Sequence, residues 1–233
     1  MLKALLWKEW QEQRWRVALA TVWLLGMTAI GLKTRILPDI GVVMIIWNPA
    51  TIILPVLLGM GLFATERKER TLSYLIVHPV SRSQILAAKV MAGLVAYVAP
   101  FLVCGLMVCL AVGGRELSTA DLAGGFVIMG AMGIVLFAWQ LLAGLRCRRG
   151  ETYILVSVIV LGCWGVHAAV VEEWRLTENV GYWTWALNPF AIGNLNYAKP
   201  SEVWTVITLQ SLILAGLGFG LWSRFRRLRE GRS

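Results

Sequence analysis

ATERKERTLSYLIVHPVSRSQILAAK, residues 64–89, is the longest run in which charge gathers between two apolar segments. Glu66, Arg67, Lys68, Glu69, Arg70, Arg82 and Lys89 carry that charge, while Leu72, Leu75 and Ile76 repeat at the i, i+3, i+4 spacing of one helical face. A short amphipathic helix is predicted there. Pro79 cannot extend it and biases His78 away from helical geometry. Ser81 and Gln84 then form a capping box, with Val80 and Ile85 as the hydrophobic staple, so a new helix is predicted to start at Arg82. The order is charged exit, short helix, proline stop and capped helix start. It specifies a fixed connector, although an ordinary helical loop satisfies the same local rules.

Outward from this connector lie six apolar runs, 17–32, 40–63, 90–112, 122–145, 153–171 and 203–222, and not one contains Asp, Glu, Lys or Arg. The chain is 58% hydrophobic and 15% charged with a mean hydropathy of +0.69, which is the composition of a membrane protein. Its 233 residues hold about six spans of roughly 20 residues each. The expected fold is therefore all-α and polytopic, one transmembrane domain over 1–233. The basic residues are placed unevenly: 17 of the 22 fall on one side of the predicted topology, at both ends of the chain, in the 64–89 connector and in RCRRGE at 146–151. Lys33, Arg35, Arg115, Arg175 and Lys199 make up the other side. By the positive-inside rule both termini are cytoplasmic, in a cell membrane. The net charge of +9 thus sets topology and contacts anionic lipid; no motif supports nucleic-acid binding.

Residues 1–16 mix Leu2, Leu5, Leu6 and Trp10 with Lys3, Lys8, Glu9, Glu12 and Arg14, as in a helix lying in the headgroup layer; a polar extension of the first span is the alternative. The second run carries Pro49 and Pro55, and the fourth carries Gly124, Gly125, Gly130 and Gly133, small enough for helices to approach closely. Gly216 and Gly220 in the last run stand at GxxxG spacing. Residues 172–202 form the long outer loop, too aromatic to sit freely in water, and are expected to re-enter the membrane.

Several chemistries are excluded. The chain has no G-x-x-x-x-G-K-[ST], so it binds no ATP through a P-loop. The apolar runs lack the carboxylates of ion-coupled carriers, each of which costs about 2.5–3.5 kcal/mol at mid-helix. His167 is the one histidine in a run and stands ten residues from Ser157, too far along a helix for a catalytic dyad within it. It is read as structural or interfacial. Cys104, Cys109, Cys147 and Cys163 have no metal-ligand spacing, and no cofactor or metal is expected. Asn48, Gln140 and Gln210 are the candidate pathway-lining groups, with helix-to-helix hydrogen bonding as the alternative.

The connector resembles the segment after the second membrane helix in permease subunits of ATP-binding-cassette (ABC) transporters of the second exporter type. Glu66, Thr71, Leu72, Leu75, Pro79, Val80, Ser81, Arg82, Ile85, Leu86 and Lys89 match that pattern; Arg70 and Ser73 stand where it has glycine and glutamate. WALNPF at 185–190 resembles the Leu-Asn-Pro element of the re-entrant segment before the last span. The resemblance implies an N-terminal elbow helix over 1–16. It also implies a coupling helix that docks a separate ATPase subunit, with Glu66, Thr71, Leu72, Leu75, Ile76, Pro79, Ser81 and Arg82 as its residues. A second permease copy or a paralogue completes the pathway, and the implied function is export. A non-transporting membrane scaffold, or a channel or carrier independent of ATP, are the rival readings. A cysteine introduced at Asn179 should react with an impermeant maleimide on intact cells, whereas tags at Ser233 and after Gly150 should be reached only in opened cells. Labelling of position 179 only after lysis would reverse the topology.

Overall fold

The structure is a computed structural model that describes residues 2–34, 38–59, 62–63, 81–114, 118–147, 150–177, 182–197 and 200–227. Every regular element among them is helical: α1 (Leu2–Thr34), α2 (Asp39–Gly59), α3 (Arg82–Val112), α4 (Thr119–Arg146), α5 (Gly150–Thr177), α6 (Tyr182–Leu187), a 3-10 helix (Pro189–Tyr197) and α7 (Pro200–Arg227). Six of these helices, α1 to α5 and α7, are long and apolar enough to cross a membrane. They contain the six apolar runs, except that α2 stops at Gly59 rather than Phe63.

The helix ends follow local chemistry. Ser118 caps α4: its hydroxyl accepts the Asp121 N–H at 3.1 Å and donates to the Asp121 carboxylate at 2.6 Å. Asp39 in the first turn of α2 and Arg146 in the last turn of α4 each carry the charge that the helix dipole favours. After α3 the chain turns at Gly114, whose φ of 84° suits a residue without Cβ.

One expectation changes form. Residues 2–16 are not a separate element but the first turns of α1, continuous with the first span. A helix of that length reaches about 50 Å at 1.5 Å per residue, well beyond a hydrocarbon core of about 30 Å, so α1 also extends past the apolar layer. Trp7 and Trp15 are 64% and 68% exposed on it, while Glu9, Gln13, Leu24 and Thr28 form a buried stripe at helical spacing.

The chain forms two compact units, Met1–Leu58 with Ser83–Ile134, and Gly59–Arg82 with Val135–Ser233. In the first, Trp47 of α2 is fully buried and touches three other helices. Its ring packs edge-on against Phe101 of α3 at 5.1 Å and Phe126 of α4 at 4.5 Å. Its indole N–H donates to the Thr28 hydroxyl of α1 at 3.3 Å, and that hydroxyl donates to the Leu24 carbonyl. In the second unit Phe63 packs on Phe225, and Trp139 of α4 packs on Trp164 of α5. Leu102, Leu106 and Leu110 form an exposed stripe along α3, as do Leu155, Val158 and Ile159 on α5. Such faces are untenable in water and ordinary against lipid.

Among Gly124, Gly125, Gly130 and Gly133 of α4, Gly133 is the one whose neighbour among the described residues requires it to be small. A Cβ there would overlap the Tyr97 hydroxyl of α3, whereas Gly124, Gly125 and Gly130 face open space. Gly133→Ala should therefore destabilise by about 1–3 kcal/mol through overpacking, read as a lower unfolding temperature in one detergent. In a Tyr97→Ala background the same change should cost much less. Equal losses in both backgrounds would exclude this contact as the cause.

Candidate functional site

The connector residues Glu66, Thr71, Leu72, Leu75, Ile76 and Pro79 lie outside the described residues. Ser81 and Arg82 are described, and α3 begins at Arg82 directly after Ser81, where the capping sequence places a helix start. The Arg82 guanidinium donates to the Arg226 carbonyl in the last turn of α7, covering one of the acceptors that every helix C-terminus leaves open. Arg226 in turn lies over the Trp222 ring at 5.9 Å. The start of α3 is thus tied to the end of the last span.

Two turns further along α3, Lys89 is fully buried and donates to the Glu9 carboxylate of α1 at 2.9 Å. Lys8 reaches the same oxygen at 3.4 Å and Glu12 at 3.0 Å. The second Glu9 oxygen, the Gln13 amide oxygen and one Arg16 guanidinium nitrogen are buried on the same α1 face without hydrogen-bond partners among the described residues. By charge placement alone, Glu9 and Lys89 read as surface groups. A signal was nevertheless present, because Lys89 follows Ile85 by four residues and Leu86 by three, and so shares their buried face.

In the second unit the WALNPF element is held by Asn188. Its amide nitrogen donates to the Trp164 carbonyl of α5 and lies 2.9 Å from Nδ1 of His167, which accepts in the Nε2-protonated tautomer. Its amide oxygen accepts the Phe190 N–H at 2.9 Å. Gln210 of α7 donates to the carbonyls of Ala186 and Asn188 at 2.9 and 3.1 Å. Gln140 of α4 accepts from Ser157 of α5 at 2.6 Å, beside a cavity of about 560 Å3. Gln140 and Gln210 are therefore buried, each in its own hydrogen-bonded set, whereas Asn48 is exposed. His167 packs edge-on against Trp164 and is bonded to Asn188.

Residues 33–223 match the family model described as ABC-2 family transporter protein. The chain belongs to that family. No curated protein matches it. The connector, α3 and the Asn188 element all fall inside the matched residues, and the family agrees with the resemblance drawn from the connector and from WALNPF. As an ABC-2 permease it is a multi-pass transport component of a membrane, of a kind that works with an ATPase subunit. Glu9 precedes the matched region, so the Glu9 to Lys89 bond fastens the N-terminal turns to the family's own helix bundle.

Removing one partner of a buried ion pair strands the other charge. Lys89→Met should cost about 3–5 kcal/mol, and adding Glu9→Leu should recover most of it, because two apolar side chains can replace the pair. Thermal unfolding of the purified variants measures both steps. A double variant no more stable than Lys89→Met would show that the two do not act as a pair.

Proposed function

We propose that this ABC-2 permease is the membrane-spanning half of an ATP-driven exporter, working as a dimer with a second copy or a paralogue. The stretch from Glu66 to Lys89 supports this most, since its charged exit, apolar face and proline stop suit a helix seated on an ATPase surface. The chain has no phosphate-cradling loop of its own, so hydrolysis belongs to a separate ATPase subunit. With 17 of the 22 basic residues on one predicted side, both termini and the connector face the cytoplasm of a cell whose plasma or inner membrane holds the protein. ATP-driven closure of the ATPase pair would then push on Leu72, Leu75 and Ile76. Arg82 and Lys89 lie directly downstream and would carry the push into α3, toward α7 and α1 respectively. Glu66 would hold the other end of the lever to α2. The apolar runs carry no charge, which suits an apolar or amphipathic cargo, with Asn48, Gln140 and Gln210 as the polar groups nearest any such route.

Replacing Leu72 and Leu75 together with Asp places charge in a desolvated contact, where interface anchors often contribute about 2 kcal/mol or more. That variant should insert normally yet lose its ATPase subunit on affinity purification. Recovery of a wild-type amount of ATPase by the double Asp variant would rule out docking through this helix. Loss of membrane insertion would instead place these side chains in the fold of the permease itself.

A further inference from the structure

We propose that the cleft between the end of α4 and the start of α5 binds a phospholipid with an anionic headgroup, independently of which cargo is transported. The cleft has a volume of about 560 Å3, within the range of about 300–1,000 Å3 typical of ligand pockets. Its walls are apolar over two helical turns, with Leu142 and Ala143 from α4 and Val156 and Val160 from α5. Arg146 closes one end, in the last turn of α4, exposed and without an ion-pair partner among the described residues. The sequence continues into Arg148 and Arg149.

The polar groups of the cleft differ in what they need. The Ser157 hydroxyl donates to the Gln140 amide oxygen, so these two atoms are already paired with one another. The Trp139 indole N–H, in contrast, is buried without an acceptor among the described residues, and Trp139 borders the same cavity. An alkane leaves that donor unmet, while a molecule with oxygens along its length can meet it. Trp139 and Arg146 are seven residues apart, so they share one face of α4 about 10 Å apart along its axis. A ligand that suits both ends has an anionic group for the guanidinium, oxygen acceptors, and an apolar tail for the valine and leucine walls. Because α4 and α5 cross the membrane, such a ligand is within reach as a bilayer component. A soluble anion would satisfy Arg146 and leave the apolar walls wet. A zwitterionic lipid would bring to the basic end a cation that opposes the phosphate, which is why the acidic class is favoured.

The test uses the full-length protein in nanodiscs of phosphatidylcholine with or without phosphatidylglycerol, followed by native mass spectrometry to count retained lipids. One phosphatidylglycerol should be retained in preference to phosphatidylcholine. Arg146→Gln should weaken that retention about fivefold, as the roughly 1 kcal/mol attributed to one basic residue at an acidic surface implies. Arg146 is exposed, so this variant should fold; Val156→Trp, which fills the cleft, should displace the lipid even with Arg146 present. Lys33→Gln, on a different helix end, should change nothing. Equal retention of both lipids, unaltered binding in Arg146→Gln, or displacement by soluble glycerol phosphate would each overturn the proposal.

Discussion

Inside a bilayer no water is available to bond a peptide group, so each N–H and C=O must find its partner within the protein. Long helices meet that demand for the six candidate spans. The same demand falls on any backbone buried within a protein. It is harder to meet where Pro189 follows the buried Asn188 and the helix cannot continue, because irregular backbone there leaves both donors and acceptors open. Two side chains supply the missing bonds. The Asn188 oxygen takes the Phe190 N–H, and Gln210 covers the carbonyls of Ala186 and Asn188. The same Asn188 then reaches Trp164 and His167, so one residue both permits the break and fixes it to α5. The short α6 and the 3-10 helix accordingly pack against both α5 and α7.

Charge is subject to a related rule. A lysine or glutamate buried alone costs several kcal/mol, and the pair is tolerated because each neutralises the other at short distance. Glu9 and Lys89 meet that condition at 2.9 Å, and their union holds the turns of α1 that precede the apolar run against the start of α3. Nearer the connector, Arg82 spends its charge on the end of α7. Both contacts are made by residues in the first turns of α3, directly after Ser81.

Several elements could be read directly from the residues. The number of spans follows from uninterrupted apolar runs, and the start of α3 at Arg82 follows from Ser81, Gln84 and the preceding Pro79. These features depend on neighbours within one or two helical turns, so local sequence determines them. The resemblance carried by the connector and by Leu187, Asn188 and Pro189 likewise pointed to the family that residues 33–223 match.

Partner choice was another matter. Glu9 and Lys89 are 80 residues apart, and although the spacing from Ile85 and Leu86 puts Lys89 on a buried face, nothing local names Glu9 as its partner. Residues 2–16 looked like an element of their own because their polarity changes at Val17, yet backbone hydrogen bonding runs through that point and joins them to α1. Gly133 differs from Gly124, Gly125 and Gly130 only in having Tyr97 opposite it. Asn48 and Trp47 are adjacent in α2, but the polar residue is exposed and the tryptophan fills the space among four helices. By itself the sequence determined which segments are helical and which are fit for a membrane, since those properties sum over adjacent residues. Only the tertiary structure decided which charges pair, which glycine must stay small and which amide closes the broken backbone, because each depends on atoms brought together from distant parts of the chain.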